Sequence, residues 1–159
     1  VYGMTGGQVS PTTSAGRLTT TTQAGNPEPV FDACKLAEAA GAGLVGREVT
    51  MQVTRLRDVI REALDYPGFS LVEVISDCTE IYGRKNDLGD SAEMTMSHKA
   101  AMRPDAYRNT VDQPFRPNAL ETGILVRQDR PEYGAAYRAH TAKIVENEAK
   151  KAGVNKAGG

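Results

Sequence analysis

The pattern of apolar and polar positions changes character once along this chain. Residues 5–29, TGGQVSPTTSAGRLTTTTQAGNPEP, carry Thr, Gly, Ser and Pro where a buried element needs apolar side chains, so neither a core helix nor a buried strand is predicted there. By composition the stretch reads in two ways. It is a flexible N-terminal tail or, because the β-branched run at 19–22 is stiff, an extended ordered segment. After Pro29 helical and strand periods alternate. Asp32 is placed to cap a helix over FDACKLAEAAG, with Gly41 to stop it, and LVGREV (44–49) reads as a short strand. Leu56, Val59, Ile60, Ala63 and Leu64 then recur on one helical face. Thr54 is the expected N-cap, and Tyr66, Pro67 and Gly68 end the helix. FSLVEVIS (69–76) is a near-continuous apolar run, the pattern of a strand covered on both faces. Helix, strand, helix, strand at this spacing predicts an α/β fold, a parallel sheet with crossover helices.

From Cys78 to Pro117 the chain is irregular, broken by Gly83, Gly89, Pro104, Pro114 and Pro117, with a short helix expected around 91–102. ETGILVRQ (121–128) reads as one more strand. A last helix opens at Pro131, a residue favoured in the first turn, and runs to about Lys151. Its Tyr133, Tyr137, His140 and Ile144 form a face apolar enough to pack on something. GVNKAGG reads as a frayed tail, and there is no internal repeat.

Composition narrows the function classes. The 159 residues fit one domain or a large fragment of one, and 40% hydrophobic with 25% charged residues suits a soluble protein that buries a core. Nineteen basic against twenty acidic residues leave a net charge of −1, with no global pull toward nucleic acid or an anionic membrane. No apolar run approaches the ~20 residues that span a bilayer, and no secretory signal pattern opens the chain. Two cysteines, Cys34 and Cys78, cannot make a disulfide scaffold, so the expected compartment is the reducing cytoplasm.

Two segments have candidate chemistry. In YGMTGGQ (2–8), Gly3, Gly6 and Gly7 let the backbone approach a ligand closely, adjacent N–H groups can form an anion-binding nest, and Thr5 and Gln8 add neutral hydrogen-bonding groups. Most short glycine runs are merely turns. Cys78 follows directly on the strand FSLVEVIS, at the carboxyl end of a parallel strand where ligands gather in such sheets. On these residues alone a lone cysteine reads as a small buried hydrophobe; as a metal ligand it needs partners from elsewhere. Cys34, in an Ala-rich helix, reads as packing. His98 and His140 have no partner at metal-like spacing and read as surface or packing residues; Arg84, Lys85 and Arg127 could meet an anionic ligand, though basic residues in loops are usually solvated.

Taken in order, VYGMTGGQVSPTT, TTTTQAGNPEPVFDACKLAEAAGA, GFSLVEVISDCTEIYGRKNDLGD and ETGILVRQDRPEY resemble the β subunit of 2-oxoacid:ferredoxin oxidoreductases, the thiamine-diphosphate enzymes. The resemblance covers most of the chain, is least distinctive around 91–118, and leans toward the 2-oxoglutarate branch at MTGGQ and CTEIYGR. It implies a thiamine-diphosphate-binding fold present as a partial domain. Residues 1–29 would be the cofactor loop and Thr-rich arm, 30–90 the C-terminal part of the binding domain, and 91–159 a C-terminal extension. The family's GDG segment, its following Asn and its upstream cysteines are absent from this sequence, so the resemblance implies the C-terminal portion of a longer subunit.

The resemblance also implies roles. Val1 would offer its backbone carbonyl to Mg²⁺, an oxygen ligand suited to a hard cation. Tyr2, Gly3, Met4, Thr5 and Gly6 would line thiamine diphosphate, with Thr5 near the diphosphate; some relatives carry Lys at the position of Gly6. Cys78 would be one ligand of a 4Fe–4S cluster completed by residues outside this chain. The implied reaction is oxidative decarboxylation of a 2-oxoacid to an acyl-CoA, with electrons passed to ferredoxin and an α subunit as partner. No general acid or base is expected from this chain. The reading from another class is a non-catalytic α/β binding module that keeps only the scaffold. An isolated fragment of either kind is expected to be inactive, and to be poorly stable or self-associating at an exposed sheet edge.

Overall fold

The computed structural model describes residues 1–104 and 119–157; the expected breaks at Pro114 and Pro117 lie outside the described residues. The Asp32 carboxylate accepts hydrogen bonds from the Cys34 and Lys35 amides and caps helix α1 (Ala33–Ala39), as its spacing predicts. Strand β1 (Leu44–Val49) leads through helix α2 (Val53–Asp65) to strand β2 (Ser70–Ile75). β1 and β2 pair in parallel from Leu44 opposite Ser70 to Val49 opposite Ile75, which makes β1–α2–β2 a crossover unit. A π-helical turn (Thr79–Gly83), helix α3 (Ser91–Ala101), strand β3 (Met102–Pro104), strand β4 (Leu120–Arg127) and helix α4 (Tyr133–Ala157) follow.

The sheet order is β2-β1-β4-β3. β4 runs parallel to β3 but antiparallel to β1, so the sheet is mixed rather than wholly parallel. A strand's direction belongs to the path that delivers it, not to its own residues, and the pattern of ETGILVRQ carries no sign of it. β1 is buried along its full length between two apolar clusters. On one face Val45 and Val126 pack with Cys34, Ala37 and Ala42; on the other Leu44 and Ile124 pack with Val59, Ala63 and Tyr66 of α2 and its C-cap.

Several expectations give way to the packing. The N-cap of α2 is Gln52, without a side-chain cap, rather than Thr54. The buried stripe of α2 is narrower than its apolar face: Ile60 and Leu64 are exposed. β2 occupies a sheet edge and is only half-buried, so it lacks the two-sided cover its apolar run predicts. α4 continues past Lys151 to Ala157. Its Tyr133 and Tyr137 stack on each other at 6.0 Å and, with Ile144, lie exposed, so the face expected to pack finds no cover among the described residues.

Candidate cofactor site

The polar N-terminal stretch is built by hydrogen bonds instead of apolar burial. Thr13, Thr19 and Asn26 are almost wholly buried. The Thr13 hydroxyl accepts the Ser10 amide (3.0 Å) and the Thr19 hydroxyl the Thr22 amide (3.0 Å). The Asn26 side chain donates to the Thr13 carbonyl (2.8 Å), and the Phe31 amide donates to the Pro11 carbonyl (2.8 Å). Short polar side chains that satisfy nearby backbone are what these residue types do outside helices and sheets. Of the two compositional readings, the ordered arm is the one observed.

Residues 2–8 close into a compact loop. Tyr2 and Gln8 form an antiparallel bridge, and the Tyr2 amide donates to the Gln8 carbonyl (2.9 Å). The Thr5 hydroxyl donates to Gln8 Oε1 (2.6 Å), and Gln8 Nε2 returns a bond to the Thr5 carbonyl (2.8 Å). The glycine amides expected to form a nest are only partly available. Those of Gly6 and Gly7 are spent on the Gly3 and Tyr2 carbonyls (3.2 and 2.9 Å), whereas those of Gly3, Met4 and Thr5 meet no acceptor among the described residues. These three consecutive N–H groups sit on an exposed turn whose Met4 side chain is entirely open. Residues 1–16 carry no charged side chain. This turn therefore offers backbone donors and no carboxylate of its own. The half-buried Val1 begins the same segment.

Cys78 leaves β2 in an extended conformation, exposed, just before the π-helical turn, and its carbonyl accepts the Gly83 amide (2.8 Å). The turn carries Ile81 against the loop at residues 2–8: a Cβ at Gly7 would overlap Ile81 Cγ2. Gly7 has φ +87°, a region where glycine is at ease and other residues are strained. The structure therefore brings together the two segments that the sequence singled out separately.

Cys34 is elsewhere. It is 4% exposed, and its thiol faces Glu73 Oε2 (3.5 Å) and the Gly46 carbonyl (3.9 Å). Beside it the Arg47 guanidinium pairs with Asp32 (2.7 Å) and Glu73. Burial and the neighbouring Glu73 carboxylate push the Cys34 thiol up to about 12, against the pull of Arg47. Buried there, it stays a protonated thiol at neutral pH. No group of three or more His, Cys, Asp or Glu poised for a metal occurs among the described residues, and the sequence holds no third cysteine. Cys78 and Val1 therefore complete no metal site from the described residues alone. His98 and His140 stand half-buried and exposed on α3 and α4. The Asp32–Arg47–Glu73 network, the fully buried Glu48 with its partner Arg55 (3.1 Å) and the bracing roles of Asn26 and Gln8 are not marked in the sequence. Only the charged residues inside a strand pattern hint at the first two.

Residues 1–74, from the loop to β2, match the family model for the thiamine pyrophosphate enzyme, C-terminal TPP binding domain. A 2-oxoglutarate synthase subunit KorB from Methanocaldococcus jannaschii is 45% identical over 94 residues, covering 59% of this chain and 35% of the relative. The subunit of the same name from Methanothermobacter thermautotrophicus is 36% identical over 136 residues, covering 83% and 46%. The chain thus spans less than half the length of these relatives. A solved 2-oxoglutarate:ferredoxin oxidoreductase from Magnetococcus marinus has the same fold at a TM-score of 0.69 and 22% identity, over 94% of this chain and 50% of that one. No helix among the described residues is long and apolar enough to cross a membrane. From the loop through the crossover unit the chain thus matches the C-terminal TPP-binding domain of thiamine pyrophosphate enzymes, and it is similar to part of the 2-oxoglutarate synthase subunits KorB.

Proposed function

We propose that this chain is the part of a β subunit that holds thiamine diphosphate and one side of an iron–sulfur cluster, in an enzyme that converts 2-oxoglutarate or a related 2-oxoacid to its acyl-CoA. The observation that carries the reading is the contact of Gly7 with Ile81, which joins the loop of free amides to the segment that follows Cys78. Bound thiamine diphosphate supplies the electron sink for decarboxylation. The chain's own part is to hold and orient. The Gly3, Met4 and Thr5 amides receive the diphosphate, Tyr2 and Gly6 complete the loop around the cofactor, and the Val1 carbonyl contributes to Mg²⁺. Cys78 would be one ligand of a 4Fe–4S cluster whose other ligands lie outside this chain, and that cluster would supply one-electron transfer toward ferredoxin. The reading includes an α subunit as partner, a cytoplasmic setting, and the division of the chain at 29 and 90 into arm, binding-domain part and extension. The names of the relatives support 2-oxoglutarate among the 2-oxoacids.

The test is viologen reduction by the complete αβ enzyme carrying this sequence, with thiamine diphosphate, Mg²⁺ and coenzyme A. Turnover is expected to need coenzyme A and to be faster with 2-oxoglutarate than with pyruvate or a branched-chain 2-oxoacid. The 159-residue chain alone is expected to give none. Absence of 2-oxoacid-dependent turnover in a cofactor-loaded complex would contradict the reading.

A further inference from the structure

The cofactor loop and the Cys78 segment meet at an apolar point, Gly7 on Ile81. A second link between them runs through the Thr-rich arm. The Thr20 amide donates to the Gly7 carbonyl (2.9 Å), and the Val9 amide donates to the Thr21 hydroxyl (3.0 Å), so the arm is tied to the loop. Two residues before Thr20, the Leu18 backbone is held on both sides by Asn86. Asn86 Oδ1 accepts the Leu18 amide (2.8 Å), and Nδ2 donates to the Leu18 carbonyl (3.0 Å) and to the Tyr82 carbonyl (2.9 Å). The carboxamide gives Leu18 the pair of bonds that a neighbouring strand would give it, across 68 residues of sequence, and the third bond anchors it to the turn after Cys78.

We propose that Asn86 is a positioning residue for electron transfer: it latches the Thr-rich arm to the Cys78 segment and so fixes the cofactor loop relative to Cys78. The proposal rests on the reading of those two segments as thiamine-diphosphate and cluster contacts. Electron transfer weakens with separation, so a link that sets the separation of the two groups governs that step without touching substrate. Asparagine suits the task because one planar group both donates and accepts. Alanine loses all three bonds. Aspartate keeps the shape and the bond from the Leu18 amide but sets a carboxylate oxygen against two carbonyls.

The experiment uses the complete αβ enzyme with Asn86→Ala and Asn86→Asp. Each lost net hydrogen bond shifts docking roughly fivefold, so hydrogen exchange in peptides covering residues 17–22 and 2–8 should speed up on the order of a hundredfold in Asn86→Ala. Iron and sulfide content should match the unaltered enzyme, and KM for 2-oxoglutarate should stay within about twofold. Reduction of the cluster after mixing with 2-oxoglutarate and coenzyme A should slow roughly tenfold. Aspartate, equal in size, should behave like alanine. Exchange that rises around Leu18 but not in residues 2–8 would overturn the proposal, as would unchanged cluster reduction with the arm released. In the same series Cys78→Ser with full iron content would overturn the ligand assignment instead, leaving the latch itself to be judged by exchange.

Discussion

Placing a methyl group on Gly7 is the sharpest local test of how the loop is docked. Gly7 has φ +87°, and an added Cβ would overlap Ile81 Cγ2, with Ile81 Cδ1 and Cβ at 3.2 and 3.4 Å. The left-handed backbone costs an L-residue about 1–2 kcal/mol, and overpacking against a side chain typically costs about 1–3 kcal/mol. Gly7→Ala should therefore weaken docking of the loop by about 2–5 kcal/mol. Gly6 has φ +110° but open space around its Cβ position, so Gly6→Ala should bear only the backbone cost of about 1–2 kcal/mol. Gly3 has neither constraint, and Gly3→Ala should leave docking nearly unchanged. Hydrogen exchange across residues 2–8 and calorimetric binding of thiamine diphosphate with Mg²⁺ to the complete enzyme measure the series. Trimming the neighbour isolates the overlap: Ile81→Ala should restore part of the loss in Gly7→Ala and none in Gly6→Ala, a coupling seen only between groups in contact. Equal losses at Gly6 and Gly7, with no coupling to Ile81, would refute the contact as the origin.

Arg47→Ala should destabilise the fold by about 1.5–3 kcal/mol in urea unfolding, because it removes the charged hydrogen-bond partner of the partly buried carboxylates of Asp32 and Glu73; a loss well below about 1 kcal/mol, the worth of a surface pair, would count against that network. A thiol reagent at pH 8 should label one cysteine in the folded chain, the exposed Cys78, and both after denaturation, since Cys34 is buried with its thiol raised to about 12; rapid labelling of Cys34 in the native state would contradict its placement. Burial by itself raises the Asp32 carboxyl, but the Lys35 amide, the Arg47 guanidinium and the Cys34 amide together hold it below its ordinary 3.8. A depressed carboxyl stabilises the fold above its unfolded value, and that contribution disappears as pH falls through the folded one. Asp32→Asn should therefore be less stable than the unaltered chain at neutral pH and converge with it under acid. A constant gap from pH 7 to pH 2 would contradict this.

Elements with a strong period were legible in the sequence. α1 with its Asp32 cap, β1, α2 and β2 stand close to where their apolar spacing puts them, and the parallel pairing of β1 with β2 follows from the helix between them. The antiparallel approach of β4 was not legible, because no local pattern encodes which way a strand arrives. The covers of β2 and α4 were misjudged for a related reason: an apolar run states that a surface can be buried, not that a partner within the same stretch buries it. The arm is the deepest gap. Thr13, Thr19 and Asn26 are buried without hydrophobicity, by hydrogen bonds between short side chains and nearby backbone, and such bonds leave no periodic trace. Asn86 belongs to the same class, since its partner Leu18 is remote in sequence. In the candidate site the glycines and Cys78 were visible as types, whereas their meeting at Ile81 depends on the turn that follows β2.

Whether the exposed cysteine after β2 and the loop at residues 1–8 serve one redox site is tested most directly by the iron content of the complete αβ enzyme. With iron and sulfide counted and the reduced EPR signal recorded, Cys78→Ser should lower cluster content or shift its signal, because a hydroxyl is a harder and poorer ligand for iron than a thiolate. Cys34→Ser, altered behind the sheet among Asp32, Arg47 and Glu73, should keep the cluster and lose only some packing. An unaltered cluster in Cys78→Ser, or a lost one in Cys34→Ser, would contradict the account.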